Sequence, residues 1–233
     1  VAFWQSNRSA LNRVSAETGV PAHIIVAIIG VETYYGRITG SYRVVDALST
    51  LAFDYPRRSK FFTKELEIFL ELAYRAELPV GELKGSYAGA MGLGQFMPSS
   101  YQAYAKDFEG DGVIDIWTNP HDAIMSVANY FVAHGWRPGE DVITAARFTG
   151  DASLFDAGLK PKMSVAHFTE QGLVPVQEVT GTVLVTPIKF EGKQGDEYWL
   201  GLHNFYVITR YNHSAMYAMA VHQLSEALRT RML

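Results

Sequence analysis

Residues 24–33 read Ile-Ile-Val-Ala-Ile-Ile-Gly-Val-Glu-Thr, and this stretch decides the fold. Its β-branched residues would suit a buried strand. Pro21, however, stands where a helix would begin, and the apolar run passes without a turn into the polar pair Glu32-Thr33. We therefore predict a buried helix that ends at a carboxylate.

Glu32 is the first candidate for chemistry. A carboxylate at the end of a strongly apolar helix loses solvation, which raises its pKa and keeps it protonated near neutral pH. Such a group can act as a general acid on a glycosidic oxygen. Position alone favours the other interpretation, a partly exposed side chain at the C-terminus of a helix.

Helical periodicity extends on both sides of this segment. Further helices are predicted over 6–18, 59–77, 98–106, 120–135 and 217–232. In the most amphipathic of them, 59–77, one apolar face is formed by Phe62, Leu66, Phe69, Leu70 and Ala73. From about Pro138 to Gly195, short Val/Thr-rich stretches such as 179–185 alternate with Gly and Pro and predict a small β lobe. The fold class is therefore α+β, mainly α.

A glycine-rich stretch, Lys84-Gly-Ser-Tyr-Ala-Gly-Ala-Met-Gly-Leu-Gly-Gln-Phe-Met-Pro98, follows the amphipathic helix. Such dense small residues let the backbone approach a ligand closely, and Ser86 and Gln95 could bond sugar hydroxyls or an N-acetyl group. The glycines lack the spacing of a dinucleotide site. An ordinary tight loop stays open as the alternative.

An acidic loop follows at residues 107–122. Asp107, Glu109 and Asp111 alternate before Gly112, as in the first half of an EF-hand calcium loop. The twelfth position is Thr118 instead of Glu, so Asp122 would have to complete the site. A turn of solvated carboxylates is the alternative. Since one unpaired loop makes a poor sensor, any calcium here would be structural.

Two smaller groups carry polar side chains. Arg57 and Arg58 offer fixed positive donors that suit carboxylates on a substrate. The segment Tyr-Asn-His-Ser at residues 211–214 precedes the last predicted helix, and Tyr217 is the first residue of that helix. His213 is not predicted to be a metal ligand, because no His or carboxylate lies at ligand spacing from it.

Composition excludes several classes of function. The net charge of −4 and the lack of a Lys/Arg run do not favour nucleic acid as a partner. The absence of cysteine excludes disulfides, thiol catalysis and a cysteine-based zinc site. No apolar run approaches the ~20 residues of a membrane span. The chain begins at Val1 instead of methionine, which permits the removal of an export signal or anchor.

Six segments occur together in the order of one family: 30–36, 55–58, 85–92, 94–100, the acidic loop and 209–214. The chain resembles the membrane-bound lytic transglycosylase B family. The resemblance implies a lysozyme-like helical catalytic core over 1–139, with a helical lobe at about 44–84 and the EF-hand-like loop at 107–122. A small β lobe would span 140–195, and 196–233 would return to the core.

The resemblance also implies roles for individual residues. The catalytic acid and base would be Glu32. The substrate-binding residues would be Arg57, Arg58, Ser86, Gln95, Phe96, Tyr130, Tyr211 and Tyr217. The ligands of a structural Ca²⁺ would be Asp107, Glu109, Asp111, the backbone of Val113, and Asp122. No organic cofactor is expected.

The implied reaction is non-hydrolytic cleavage of the bond between N-acetylmuramic acid and N-acetylglucosamine in peptidoglycan, with a 1,6-anhydromuramyl product. We expect glycan strands as the substrate, cell-wall synthesis or division proteins as possible partners, and a monomer. The expected location is the periplasm of a Gram-negative bacterium, soluble or tethered to the outer membrane. A hydrolytic muramidase on the same fold and a non-catalytic cell-wall binding module stay open as alternatives.

Overall fold

The computed structural model describes residues 1–232. They form two compact units, the first of Val1–Ala133 with the chain from Ser225 onwards, and the second of His134–Leu224. The helices are α1 (Ala2–Ser6), α2 (Arg8–Thr18), α3 (Ala22–Thr33), α4 (Val44–Asp54), α5 (Ser59–Arg75), α6 (Pro98–Tyr104), α7 (Pro120–Ala133), α8 (Val165–Glu170), α9 (His203–Tyr211) and α10 (Ala215–Met232). The strands are β1 (Tyr42–Arg43), β2 (Lys84–Gly85), β3 (Ile143–Phe148), β4 (Met163–Ser164), β5 (Leu173–Pro175), β6 (Leu184–Gly192) and β7 (Gly195–Gly201).

The apolar run that begins at Ile24 forms the middle of helix α3, so the helix prediction is confirmed and the strand alternative is wrong. Pro21 is the extended N-cap, and the side chains of Ile24–Ile29 are at most 2% exposed. Because these residues are buried on every side, the helix shows no polar face until it reaches Glu32. Helix α3 packs against α2 and α7 in the first unit.

Helices α4 and α5 pack against each other in the first unit. The predicted apolar face of α5 is buried at Phe62, Leu66, Phe69 and Ala73. Leu70, which the sequence analysis placed on the same face, is 44% exposed. Each residue of a helix advances by about 100°, so Leu70 turns away from the face that Phe69 occupies.

The second unit contains an antiparallel sheet with the strand order β4-β6-β7-β3-β5. Its hydrophobic core is formed by Val165, Phe168, Leu173, Val185, Leu200 and Leu202. The predicted strand at 179–185 begins only at Leu184, because the amide of Val183 bonds the carbonyl of Thr180 in a turn. The sheet also continues to Gly201, since the turn before Gly195 joins β6 to β7 and does not end the β region.

No single helix within residues 1–232 has the length and apolar character needed to cross a membrane. Helices α2 and α3 pass that test only when they are taken together, and the chain bends by 116° between them.

Candidate active site

Glu32 lies in the last turn of α3 and is half-buried. The helix ends immediately after it, because Tyr34 and Tyr35 both adopt left-handed backbone conformations with φ of 51° and 63°. The amide of Tyr34 bonds the carbonyl of Gly30 at 3.0 Å, and the amide of Tyr35 bonds that of Ile29 at 3.3 Å. Two successive left-handed residues other than glycine are strained, and such strain concentrates at functional sites.

Thr33 connects the end of α3 to the glycine-rich stretch. Its hydroxyl, in a side chain that is 1% exposed, contacts the carbonyl oxygen of Leu93 at 2.9 Å and that of Ile29 at 3.1 Å. It also accepts a bond from the amide of Gly36 at 3.1 Å. Because Thr33 directly follows Glu32, these bonds hold the backbone beside Glu32 in place. The sequence analysis did not identify this role.

Gly30 makes room for an aromatic ring beneath this turn. A Cβ atom at Gly30 would lie 2.8 Å from the ring of Tyr35. The ring of Tyr35 also stacks on Phe3, with 5.7 Å between their centroids. Burial, and then the neighbouring Tyr34, raise the pKa of Tyr35 above its ordinary value. The glycine in the Gly-Val-Glu-Thr segment is thus required by packing.

The glycine-rich stretch folds back on itself beside Leu93. Met91 and Phe96 exchange two backbone hydrogen bonds of 2.8 and 2.9 Å. A Cβ at Gly85 would lie 2.3 Å from the carbonyl oxygen of Ala90, and one at Gly92 would lie 2.4 Å from that of Ile116. The backbone segments therefore approach each other more closely than any side chain would allow.

Ser86 and Gln95 bond this loop internally. The hydroxyl of Ser86 accepts bonds from the amides of Ala88 and Ala90 at 3.2 and 3.0 Å. The amide group of Gln95, a residue with φ of 52°, donates to the carbonyls of Thr39 and Gly92 at 3.1 and 2.9 Å. Both side chains shape the loop, and the groups left to meet a ligand are the side-chain carbonyl oxygen of Gln95 and the O–H of Ser86.

Phe96 and Tyr130 lie deeper than the sequence analysis implied. They are 3% and 8% exposed, and their ring centroids are 5.9 Å apart. Tyr104 packs edge-on against Tyr130 at 5.0 Å. Phe96 belongs to the glycine-rich stretch, so its packing against Tyr130 anchors that stretch in the interior. Any contact with substrate would involve only the small exposed part of these rings.

Arg57 and Arg58 are exposed in the connection between α4 and α5. The Arg58 guanidinium stacks over the ring of Phe61 at 4.3 Å. The two arginines line a groove of about 720 Å³ with Lys60, Phe61, Thr63, Lys64 and Glu67. Two lysines therefore extend the positive surface that the sequence analysis assigned to the arginines alone.

Tyr211 and Tyr217 belong to the second unit. Tyr211 ends α9, and the amide of Tyr217 in α10 bonds the hydroxyl of Ser214 at 3.3 Å. His213 contacts the guanidinium of Arg210 at 2.8 Å. The segment is a turn between two helices, with the two tyrosines half-buried on its sides.

The acidic loop gathers three of its predicted ligands. Carboxylate oxygens of Asp107, Glu109 and Asp122 all lie within 4.8 Å of one another. Asp111 is not part of this group, and its carboxylate accepts a bond from the amide of Val113 at 2.8 Å. Three convergent oxygens suit a hard cation such as Ca²⁺, so the donor set fits the expected ion.

Hydrogen bonds orient each of these three carboxylates. Asp122 accepts the amides of Phe108 and Asp115 at 2.8 and 2.7 Å, which ties the start and the middle of the loop to α7. Asp107 accepts the amides of Gly110 and Gly112 at 2.6 and 2.7 Å. The two oxygens of Glu109 bond Asn119 Nδ2 at 2.9 Å and His121 Nδ1 at 2.8 Å, which no sequence pattern had indicated.

The charges of the three carboxylates are unevenly stabilised. Burial raises the pKa of Asp122, and the negative charges of Glu109 and Asp107 raise it further. The hydrogen bonds from the amides of Phe108 and Asp115 act in the opposite direction. The bond from the amide of Gly112 lowers the pKa of Asp107, and the contact with His121 lowers that of Glu109. A cation at this position would offset the cost of the buried Asp122 charge.

Comparisons with known proteins agree with this architecture. A family model described as a transglycosylase SLT domain matches residues 1–226. Membrane-bound lytic murein transglycosylase B of Escherichia coli is 51% identical over 228 residues, which make up 98% of this chain and 62% of that relative. The chain thus spans less than two thirds of the length of this curated relative.

Two solved structures resemble the chain closely. The soluble lytic transglycosylase SltB1 from Pseudomonas aeruginosa is 55% identical with a TM-score of 0.93, covering all of this chain and 78% of that one. Lytic transglycosylase Slt35 of E. coli, solved in complex with calcium, is 50% identical with a TM-score of 0.92, covering 99% and 73%. The lysozyme-like fold and the family resemblance predicted from the sequence are confirmed. The family model and the E. coli relative both match almost the whole length of this chain. The chain therefore belongs to the transglycosylase SLT domain family.

Proposed function

We propose that this protein is a lytic transglycosylase, which cleaves the β-1,4 bond between N-acetylmuramic acid and N-acetylglucosamine in peptidoglycan without water. The observation that carries the proposal is the half-buried carboxylate of Glu32, held at the end of a buried helix beside the glycine-rich loop. The names of the family and of its relatives point to the same activity.

The chemistry needs one carboxylic acid that acts twice. Glu32 gives its proton to the bridging oxygen, which leaves with N-acetylglucosamine as the bond to the muramyl anomeric carbon breaks. The muramyl N-acetyl oxygen stabilises that carbon. The ionised Glu32 then takes the proton of the muramyl C6 hydroxyl as its oxygen bonds the anomeric carbon, and the 1,6-anhydro ring closes with Glu32 protonated again.

A mechanism with a single carboxylate agrees with how the other buried acids are used. Among the described residues, Glu65 and Asp122 are the buried carboxylates. Each already accepts backbone N–H groups, Glu65 from Ser99 and Asp122 from Phe108 and Asp115. Glycosidases that work with two carboxylates hold the second one free to act as base or nucleophile. Neither of these acids is free in that way.

Substrate binding is assigned to the remaining predicted residues. Arg57 and Arg58 would bind carboxylates of the cell-wall polymer, and Lys60 and Lys64 extend the same surface. The side-chain carbonyl oxygen of Gln95 would accept a bond from a sugar hydroxyl, and the hydroxyl of Ser86, whose oxygen already accepts two amides, would donate one. Aromatic contacts to the sugar rings would come from Phe96, Tyr130, Tyr211 and Tyr217.

The acidic loop would bind Ca²⁺ as a structural ion. Asp107, Glu109 and Asp122 would supply side-chain oxygens, and Asp111 and the backbone of Val113 would complete the set if they turn towards the ion. Bound calcium supplies positive charge that holds the loop together and takes no part in bond cleavage. The calcium complex of Slt35 supports this assignment.

The location and partners follow from the substrate. Peptidoglycan lies in the periplasm of Gram-negative bacteria, so we place the protein there. One relative is named as membrane-bound and another as soluble, and the protein would be either soluble there or tethered to the outer membrane. The protein would act on glycan strands as a monomer, beside the proteins of cell-wall synthesis or division.

Mass spectrometry of the products released from purified peptidoglycan tests the activity, with Glu32→Gln beside the wild type. We expect anhydromuramyl products from the wild type and none from the variant, while the variant still binds insoluble peptidoglycan. Reducing-end products would identify a hydrolytic muramidase instead. Binding without any product from the wild type would indicate a cell-wall binding module.

A further inference from the structure

Glu65 is a buried carboxylate that the proposed mechanism does not use. It lies on α5 and is 3% exposed. Burying a charged group is unfavourable unless hydrogen bonds replace its water. Here Ser99 satisfies both carboxylate oxygens, with its amide at 2.9 Å from Oε2 and its hydroxyl at 2.6 Å from Oε1.

Ser99 is the second residue of helix α6. The first amides of a helix have no partner within it and are usually bonded by a capping side chain. The N-cap residue of α6, Met97, supplies no such bond. Glu65 therefore caps α6 from another helix, thirty-four residues earlier in the chain. Charge–dipole attraction at the helix N-terminus favours a carboxylate in this place.

The two helices that this bond joins each begin directly after a segment of the candidate site. Helix α5 starts at Ser59, immediately after Arg57 and Arg58. Helix α6 starts at Pro98, one residue beyond Gln95 and Phe96, with Met97 as its N-cap. A rigid connection between the helices consequently sets the distance between the arginine segment and the glycine-rich loop.

We propose that Glu65 is a positioning residue that fixes the Gln95–Phe96 segment relative to the Arg57–Arg58 segment, so that both meet the same glycan strand. This inference rests on the proposed function, because it assumes that the two segments bind one substrate. Glu65 touches no substrate. Its loss would weaken binding and leave the proton transfers of Glu32 intact.

The test uses Glu65→Met, which keeps the length of the side chain and removes both acceptors. Glu65→Gln keeps one acceptor for the Ser99 amide and serves as the conservative rescue. The matched control is Glu71→Gln, on the same helix but exposed and paired with Arg75 at the surface. Steady-state cleavage of a soluble glycan gives KM and kcat for each variant, and thermal unfolding reports whether each one folds.

We expect Glu65→Met to raise KM roughly tenfold with kcat within about twofold of wild type. Glu65→Gln should recover most of the loss, and Glu71→Gln should match wild type. An unchanged KM in a folded Glu65→Met protein, or an equal loss in kcat, would overturn the positioning role. If Glu65→Met does not fold, Ser99→Ala, which removes only the hydroxyl bond, must show the same rise in KM on a smaller scale.

Amide hydrogen exchange provides a measurement that does not depend on activity. Residues 94–99 should exchange faster in Glu65→Met, or in Ser99→Ala, than in wild type, while α3 stays protected. Unchanged exchange in that segment would contradict the proposal even if the enzyme is active. A wild type that releases no product would contradict the proposed function, and the positioning role with it.

Discussion

The hydroxyl of Thr33 donates a hydrogen bond to the carbonyl oxygen of Leu93, with 2.9 Å between the two oxygens, although the residues are sixty positions apart in the chain. Through this bond the end of α3 and the glycine-rich loop form one structure. Glu32 directly precedes Thr33, so its position depends on a contact to a distant segment.

Replacement of Thr33 by valine should therefore lower kcat roughly tenfold or more. Valine has nearly the same shape but lacks the hydroxyl, and it leaves the carbonyl of Leu93 and the amide of Gly36 without this partner. A buried polar group without a partner costs about 1–3 kcal/mol of stability. Thr33→Ser keeps the hydroxyl and should retain most of the activity. Equal kinetics for Val and Ser, measured on a soluble glycan, would show that the bond does not position Glu32.

Gly30→Ala should destabilise the protein by about 1 kcal/mol, within a range of about 0–2 kcal/mol. Alanine favours a helix by about 1 kcal/mol over glycine, but overpacking costs about 1–3 kcal/mol, and the added Cβ would lie 2.8 Å from the ring of Tyr35. Gly81→Ala is the control, because a Cβ there has no heavy atom within 4 Å. Urea denaturation compares the two variants, and equal stabilities would rule out the packing argument.

Calcium should raise the melting temperature, because an ion that binds only the native loop stabilises it by mass action. Asp122→Asn should abolish most of that increase, since the carboxylate of Asp122 both faces the ion site and bonds the amides of Phe108 and Asp115. The exposed Asp156→Asn, in the second unit, should respond to calcium as wild type does. Equal melting temperatures with calcium and with a chelator would contradict the proposed metal site.

Tyr101 should make the protein less stable at alkaline pH. Burial, and then the negative charges of Asp122 and Asp115, raise its pKa to about 12. Its hydroxyl donates to the carbonyl of Ile114 at 2.8 Å. An unfolded tyrosine ionises near pH 10, so between about pH 10 and 12 the unfolded state loses a proton that the folded state keeps. Stability is therefore fully present below pH 10 and falls as the pH rises through this window.

Urea unfolding at pH 9 and pH 11 measures this effect. The loss of unfolding free energy between the two pH values should be smaller in Tyr101→Phe than in wild type. Tyr74→Phe is the control, because that side chain is 86% exposed, and its loss should match the wild type. A loss in Tyr101→Phe that equals the wild-type loss would contradict the assignment.

Local signals explain what the sequence predicted well. A continuous apolar run after a proline indicated α3, and the same run led directly to Glu32. Of the alternating carboxylates in the acidic loop, Asp107 and Glu109 do come together, with Asp122 as the third member in place of Asp111. Each of these patterns lies within a short stretch of sequence, where spacing alone constrains geometry.

The features that the sequence did not reveal depend on contacts between distant segments. The bond from Thr33 to Leu93 and the cap from Glu65 to Ser99 join residues that no periodicity relates. The sequence did contain one indication of the role of Glu65, because this residue lies three positions after Phe62, close to the apolar face of α5. A charged residue at such a position contradicts the local pattern, and contradictions of this kind are often found at functional or supporting sites.

The left-handed pair Tyr34 and Tyr35 has a consequence for recognising distant relatives. Turns with positive φ are usually found in a sequence by their glycines or asparagines. Here the ring of Tyr35 packs against Gly30, and the backbone adopts a conformation that its own residue types disfavour. A prediction of turns from local propensity would therefore miss the turn after Glu32, although the sequence around it lies within the match to the family model.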